Sequence, residues 1–229
     1  MSRKIFSAMI GKTKGLVLSY IKYGDTSIIC KIFTDSFGLQ SYIINGIRNS
    51  KSKNIALYQP LNILDMVVYH KKNSGVQRIK EAKLDVIYTS IHNDMKKISV
   101  CFFLSEFLSK ILNNESDQED KFDFIQNSLI EFDRLNSRFS NFHIQFLIKL
   151  SKYYGIDIIS LDQLIVSNNT DKVLDDFVQK CIDESYQGNI NSNNILRNKV
   201  INLIIEYFSI HLELNIKLKS TDVLKEIFN

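Results

Sequence analysis

Residues 13–47 read TKGLVLSYIKYGDTSIICKIFTDSFGLQSYIINGI, and the alternation within them decides the fold. Thr13–Tyr23 is rich in Leu, Val, Ile and Tyr and ends at Gly24-Asp25, a turn signal. Ser27–Thr34 places Ile28, Cys30 and Ile32 on one face and Ile29, Lys31 and Phe33 on the other. Asp35–Gly38 turns the chain again, and Leu39–Ile47 sets Tyr42 and Ile44 opposite Ser41 and Ile43. Further on, Leu61–His70 offers Ile63, Val67 and Tyr69 against Leu64, Met66 and Val68, while Val76–Ile87 sets Arg78 and Lys80 on a face alternating with Ile79. Successive side chains point to opposite faces of a strand, so one face can fill a barrel while the other meets solvent or ligand. Five short strands in about 75 residues suit a small closed barrel better than a sandwich. The expectation is a five-stranded OB-type β-barrel over residues 1–88.

After Ser90 the period changes. Val100, Phe103, Leu104, Phe107, Leu108, Ile111 and Leu112 keep the spacing of one helix face. Asn113–Asp120 is a polar break in which Asp117 suits the N-cap of a second helix, Phe122–Leu135. A third is expected over Asn141–Tyr154, stopped by Gly155. Ile156–Asn169 is indeterminate. Val173–Ile182, Ile195–Leu214 and Ser220–Phe228 complete an all-helical domain over residues 89–229, giving an α+β chain with helices segregated from strands.

Composition narrows the class. The 229 residues are 45% apolar and carry a net charge of +4, which excludes disorder as the main state. The longest apolar runs, such as Val100–Leu104, fall far short of the roughly 20 residues of a membrane span. The start, Met1-Ser2-Arg3-Lys4, lacks a secretory apolar stretch, so a soluble cytoplasmic protein is expected. Cys30, Cys101 and Cys181 lie far apart, with no CxxC pair for zinc and no disulfide framework.

The mild net charge conceals a division. Met1–Lys83 holds 14 Lys+Arg against 4 Asp+Glu, a balance of +10, and the remainder holds 15 against 21, a balance of −6. Biased base composition in the coding DNA would raise Lys throughout, yet acidic residues are scarce in one half only. Such asymmetry suggests a polyanion-binding part joined to a part with another task. The interval Gly46–Gln59 carries Arg48, Lys51 and Lys53 without an acidic residue, interleaved with Ser and Asn. Cations beside neutral donors suit phosphate oxygens without demanding a base sequence; a solvated surface loop is the plainer alternative. With Lys14, Arg78 and Lys80 these residues form the candidate nucleic-acid-binding set. Tyr20, Tyr23 and Tyr42 are candidate stacking residues, though each is as well explained by packing. Pro60, the only proline, fits at the start of a strand.

Catalytic patterns are missing. There is no GxxxxGK[ST], GxGxxG, HExxH or GxSxG run, and the four histidines (His70, His92, His143, His211) are mutually remote in sequence. His211 sits on an apolar stripe and reads as a hydrogen-bonded core residue. The pairs Glu119-Asp120 and Asp175-Asp176 diverge on a helix rather than converge as an acid–base pair must. No enzyme, cofactor or metal is expected. In the helical half, Arg134, Arg138, Lys149 and Lys152 lie near apolar helix faces and are candidate partner-binding residues.

With these residues in view, the chain resembles the RecO family of bacterial recombination mediators. The resemblance begins at Thr13-Lys14-Gly15-Leu16-Val17-Leu18 and runs through Tyr23-Gly24-Asp25, Ile32-Phe33-Thr34 and Gly46-Ile47-Arg48-Asn49-Ser50-Lys51-Ser52 to Gln59-Pro60. Phe142–Gly155 is similar to the family's long apolar helix ending in Gly, and Tyr207, His211 and Leu218-Lys219-Ser220 to its C-terminal signature. It implies an OB domain followed by a helical domain. It also implies binding of single- and double-stranded DNA, annealing of complementary strands, and work with a RecR-type partner that helps a RecA-type recombinase displace single-strand-binding protein. The C-terminal tail of that protein is the expected occupant of the helical half. Many members carry a four-cysteine zinc site after the apolar helix; Ile156–Lys180 holds no cysteine, so apolar packing is expected there instead. An RNA-binding OB protein and a non-catalytic interaction adaptor are the competing readings.

Overall fold

The alternation read from residues 13–47 becomes three antiparallel strands, β1 (Met9–Tyr23), β2 (Ser27–Thr34) and β3 (Gly38–Ile44). The computed structural model describes residues 9–48, 54–71, 74–113, 115, 118–165 and 171–228. Two further strands follow, β4 (Ile63–His70) and β5 (Gln77–Leu84). The sheet order is β1-β2-β3-β5-β4, and β4 returns to β1 as a closed barrel. The only parallel pairing among the described residues joins β3 to β5 through Tyr42–Gln77 and Ile43–Arg78. This is the OB-type barrel.

β1 serves two partners. Residues 9–16 pair with β4 and residues 15–23 with β2, with a register shift between Val17 and Ser19. Bending a strand across the barrel needs such an irregularity and a small residue at the crossing. Gly15 is that residue: a Cβ there would lie 2.3 Å from Met66 Cε and 2.7 Å from Ile32 Cγ2. Inside the barrel, Val17, Ile28, Cys30, Ile32, Tyr42, Leu64, Met66 and Val68 form the core. A 3-10 turn over Asn54–Tyr58 contributes Leu57 and Tyr58 to that core, so the second part of the interval read as a loop is structural.

Two compact units emerge, one of residues 1–87 with 112–126, the other of residues 88–111 with 127–229. In the barrel unit Phe33 points outward from β2 and meets Phe122, with ring centroids 6.0 Å apart. In the helical unit, α1 (Met95–Ile111) begins earlier than its apolar stripe, because the Asp94 carboxylate accepts the N–H groups of Lys96 and Lys97 and caps it. The second helix, α2 (Glu119–Arg134), of which residues 119–126 are counted with the barrel unit and 127–134 with the helical unit, likewise starts three residues before the expected Phe122; the proposed cap Asp117 lies outside the described residues. α3 (Phe142–Ser151) is buried at every residue except Lys149, the signature of a central helix. α4 (Lys172–Asp183), α5 (Asn194–His211) and α6 (Ser220–Ile227) complete the unit.

Its core is aromatic. Phe132 stacks on Phe142 at 4.1 Å, and Phe107 meets Phe208 edge-on at 5.2 Å. His211 corrects the sequence reading: it is exposed, with Nδ1 on the Tyr207 carbonyl at 2.9 Å. The buried histidine is His143, and burial and the Arg197 charge push its pKa down to about 3, so it stays neutral. In the stretch left indeterminate, Ile158, Leu161 and Leu164 are buried, as is Cys181. Among the described residues no group of three or more His, Cys, Asp or Glu is arranged to hold a metal, and no helix is long and apolar enough to cross a membrane.

Candidate nucleic-acid interface

Strand alternation sends the even residues of β4 inward and leaves Asp65, Val67 and Tyr69 outward, and it does the same for the cations of β1 and β5. The six barrel candidates do not share one environment. Lys14 faces Asp65 across the β1–β4 ladder, and its Nζ lies 3.1 Å from the Asp85 carboxylate. Lys80 is 3.7 Å from its neighbour Glu81, both side chains being exposed. The Arg48 guanidinium donates to the Gly24 carbonyl at 3.0 Å and its backbone N–H to Thr26 at 2.9 Å, so it braces the β1–β2 turn. Arg78 is exposed and makes no ion pair among the described residues. Lys51 and Lys53 lie outside the described residues.

Three candidates are therefore partly engaged. Exposed ion pairs contribute only about 0–1 kcal/mol, so a phosphate can displace the carboxylate from Lys14 or Lys80 at small cost. Cations that the sequence reading passed over are more open: Lys12, Lys22 and Lys71 are exposed and carry no ion pair among the described residues. Tyr42 is removed from the stacking set, since it is buried in the barrel core, whereas Tyr20 and Tyr23 are exposed.

The positive surface has a direction. Residues 112–126 fold with the barrel and bring carboxylates with them, so the unit holds 15 Lys+Arg against 10 Asp+Glu, a balance of +5 rather than +10. Of those acids, Glu119 and Asp120 share a recess with Asp35 and Ser36. A second recess is mixed, with Lys12 and Lys83 beside Asp65 and Glu81. A third, formed by Tyr69, Lys71, Ser74, Val76, Gln77 and Arg78, holds two cations and no carboxylate among its described residues. Cross-strand register brings Tyr69 opposite Arg78 there. Nothing in the linear spacing of residues 69 and 78 reveals that pairing; the length of the β4–β5 connection sets it.

In the helical unit the four partner candidates are dispersed in role. Arg134 ends α2 and is exposed, and Arg138 is exposed in a left-handed conformation at φ 60°. Lys149 donates to the Glu184 carbonyl at 3.2 Å and lies over the Tyr186 ring, which fixes it. Lys152 is exposed in the turn after α3.

Comparison with known proteins agrees with this architecture. The family model "Recombination protein O N terminal" matches residues 9–88. The DNA repair protein RecO of Flavobacterium psychrophilum is 34% identical over 238 residues, covering 95% of this chain and 99% of that protein. Its counterpart in Flavobacterium johnsoniae is 31% identical, covering 95% and 99%, and that of Bacteroides fragilis is 31% identical, covering 96% and 100%. A barrel matched by the N-terminal model, carried on a chain that aligns end to end with these relatives, places the protein in DNA repair and recombination: it belongs to the RecO family of DNA repair proteins.

Proposed function

We propose that this protein is a recombination mediator that binds single- and double-stranded DNA, anneals complementary strands, and assists a RecA-type recombinase in replacing single-strand-binding protein. The observation that carries this reading is the set of exposed cations on the barrel that form no ion pair among the described residues, Lys12, Lys22, Lys71 and Arg78, joined by Lys14 and Lys80 in weak pairs. Each phosphate they neutralise releases condensed counterions, a gain independent of base sequence. Two strands held near one cationic surface repel each other less, so pairing proceeds without nucleotide hydrolysis and without a catalytic group. Arg48 is a further proposed phosphate contact, as are Lys51 and Lys53, which lie outside the described residues.

The division of labour follows the chain: residues 1–88 take nucleic acid, and residues 89–229 dock proteins. A RecR-type partner and the acidic C-terminal tail of single-strand-binding protein are the proposed occupants of the helical part. Arg134, Arg138 and Lys152 are exposed cations suited to such a tail; Lys149, already held by Glu184, is better placed to support Tyr186. The test is annealing of complementary oligonucleotides by purified protein with no nucleotide added. Duplex should form faster than in buffer alone, and the acceleration should fade as salt rises. An annealing rate equal to the spontaneous one would overturn the reading.

A further inference from the structure

The carboxylate-free recess beside the β4–β5 connection has more than charge to recommend it. Its volume is about 600 Å³, within the range of sites that take small organic groups. Its floor is fixed by Gln77, which is 3% exposed. The Gln77 amide donates to the carbonyls of Lys71 at 2.9 Å and Ser74 at 3.1 Å, while its carbonyl accepts the Lys71 N–H at 2.9 Å. A side chain that satisfies both ends of the connection in this way holds the recess open before any ligand arrives. On its wall, Tyr69 is half-buried, set outward because the alternating residues Leu64, Met66 and Val68 of β4 fill the core. Ile10 lies opposite Tyr69 on β1 and is 58% exposed, and Arg78 lies opposite it on β5.

A ring flanked by an open apolar side chain and a guanidinium, with a second cation at Lys71, presents a flat apolar surface and two phosphate contacts. We infer that this recess is a stacking subsite for an unpaired base of single-stranded DNA, with Tyr69 as the platform and Lys71 and Arg78 on the flanking phosphates. The inference rests on the DNA-binding reading above and deepens it, because it separates the two DNA forms. A base inside a duplex has both π-faces covered, whereas a single strand can lay a base on an aromatic ring whatever its identity. The barrel thus gains a contact that only single strands can use, beside a backbone contact that both forms share.

The chain contains no tryptophan, so Tyr69→Trp creates one fluorophore that reports on this position alone. Its emission should be quenched by an oligothymidylate and left nearly unchanged by an abasic oligomer of the same length and charge. Tyr69→Ala should weaken single-strand binding about tenfold or more and leave duplex binding and its salt dependence unchanged, while Tyr69→Phe should bind as the parent does. Equal quenching by the base-bearing and abasic oligomers, or equal weakening of single- and double-strand binding in Tyr69→Ala, would overturn the subsite while sparing the DNA-binding reading. Quenching by an acidic peptide but not by the oligothymidylate would assign the recess to a protein partner instead. Absence of DNA binding by the parent protein would remove the broader reading together with it.

Discussion

Asp133→Ala will lower the stability of the helical unit by about 3 kcal/mol or more. The carboxylate accepts the backbone N–H groups of Thr89, Ser90 and Ile91 at 2.8, 2.8 and 2.9 Å, and the Thr89 and Ser90 hydroxyls at 2.9 and 3.1 Å. Beside it the Lys97 ammonium, 2% exposed, donates to the carbonyls of Phe132 and Asp133 and to the Ser90 hydroxyl. One side chain thus satisfies three consecutive backbone donors, and its loss leaves those of the half-buried Ser90 and the buried Ile91 without this partner. Burial alone would raise the Asp133 pKa, but these hydrogen bonds outweigh it and hold the group down to about 2.

The pH dependence follows from that direction. A carboxylate whose folded pKa is depressed stabilises the fold fully above its unfolded value of about 3.9, and the contribution disappears as pH falls toward 2. The depression corresponds to roughly 2–3 kcal/mol. His143 acts in the same direction over a higher window, since its folded pKa of about 3 lies below the unfolded value and stability falls as pH drops beneath about 6.5. Both proteins contain His143, so the difference between parent and Asp133→Ala in urea melts isolates Asp133. That difference should be large at pH 7 and narrow by roughly 2–3 kcal/mol toward pH 2; a constant difference, or none at pH 7, would show that the carboxylate is not the organising group.

The second large effect concerns the loop. Replacing Arg48, Lys51 and Lys53 together by Ala should weaken binding to all DNA sequences alike, about tenfold or more, and make the log–log salt slope shallower by roughly 2–3. Arg48 also braces the Gly24 turn, so Arg48→Lys within an otherwise unchanged chain separates loss of the brace from loss of charge. Altered sequence preference in the triple variant would indicate base readout rather than phosphate contact, and unchanged affinity would favour a protein-interaction role for the barrel.

Strand alternation made the barrel legible. Ile28, Cys30, Ile32, Leu64, Met66 and Val68 point inward as their period of two requires. Closure was expected from the number and length of the strands, but the pair that completes it was not legible, because the parallel contact of β3 with β5 is a long-range pairing with no local signal. For the same reason Tyr42, which looks like Tyr20 and Tyr23 in sequence, is buried while they are exposed. On the surface, residue type located cations but not their neighbours: Asp85 reaches Lys14, and residues 112–126 return carboxylates to the barrel unit. Asp133 escaped notice because its partners lie more than 40 residues away. Its carboxylate reads from sequence as one more polar residue near a helix end.

The most direct test of a phosphate-neutralising barrel is the salt dependence of DNA binding by the unaltered protein. Plotted as logarithm of affinity against logarithm of salt, the line should fall with a slope near −0.9 for each phosphate contacted in duplex and −0.7 in single strands, so that several contacts give a steep descent for unrelated sequences alike. A flat line would contradict the account.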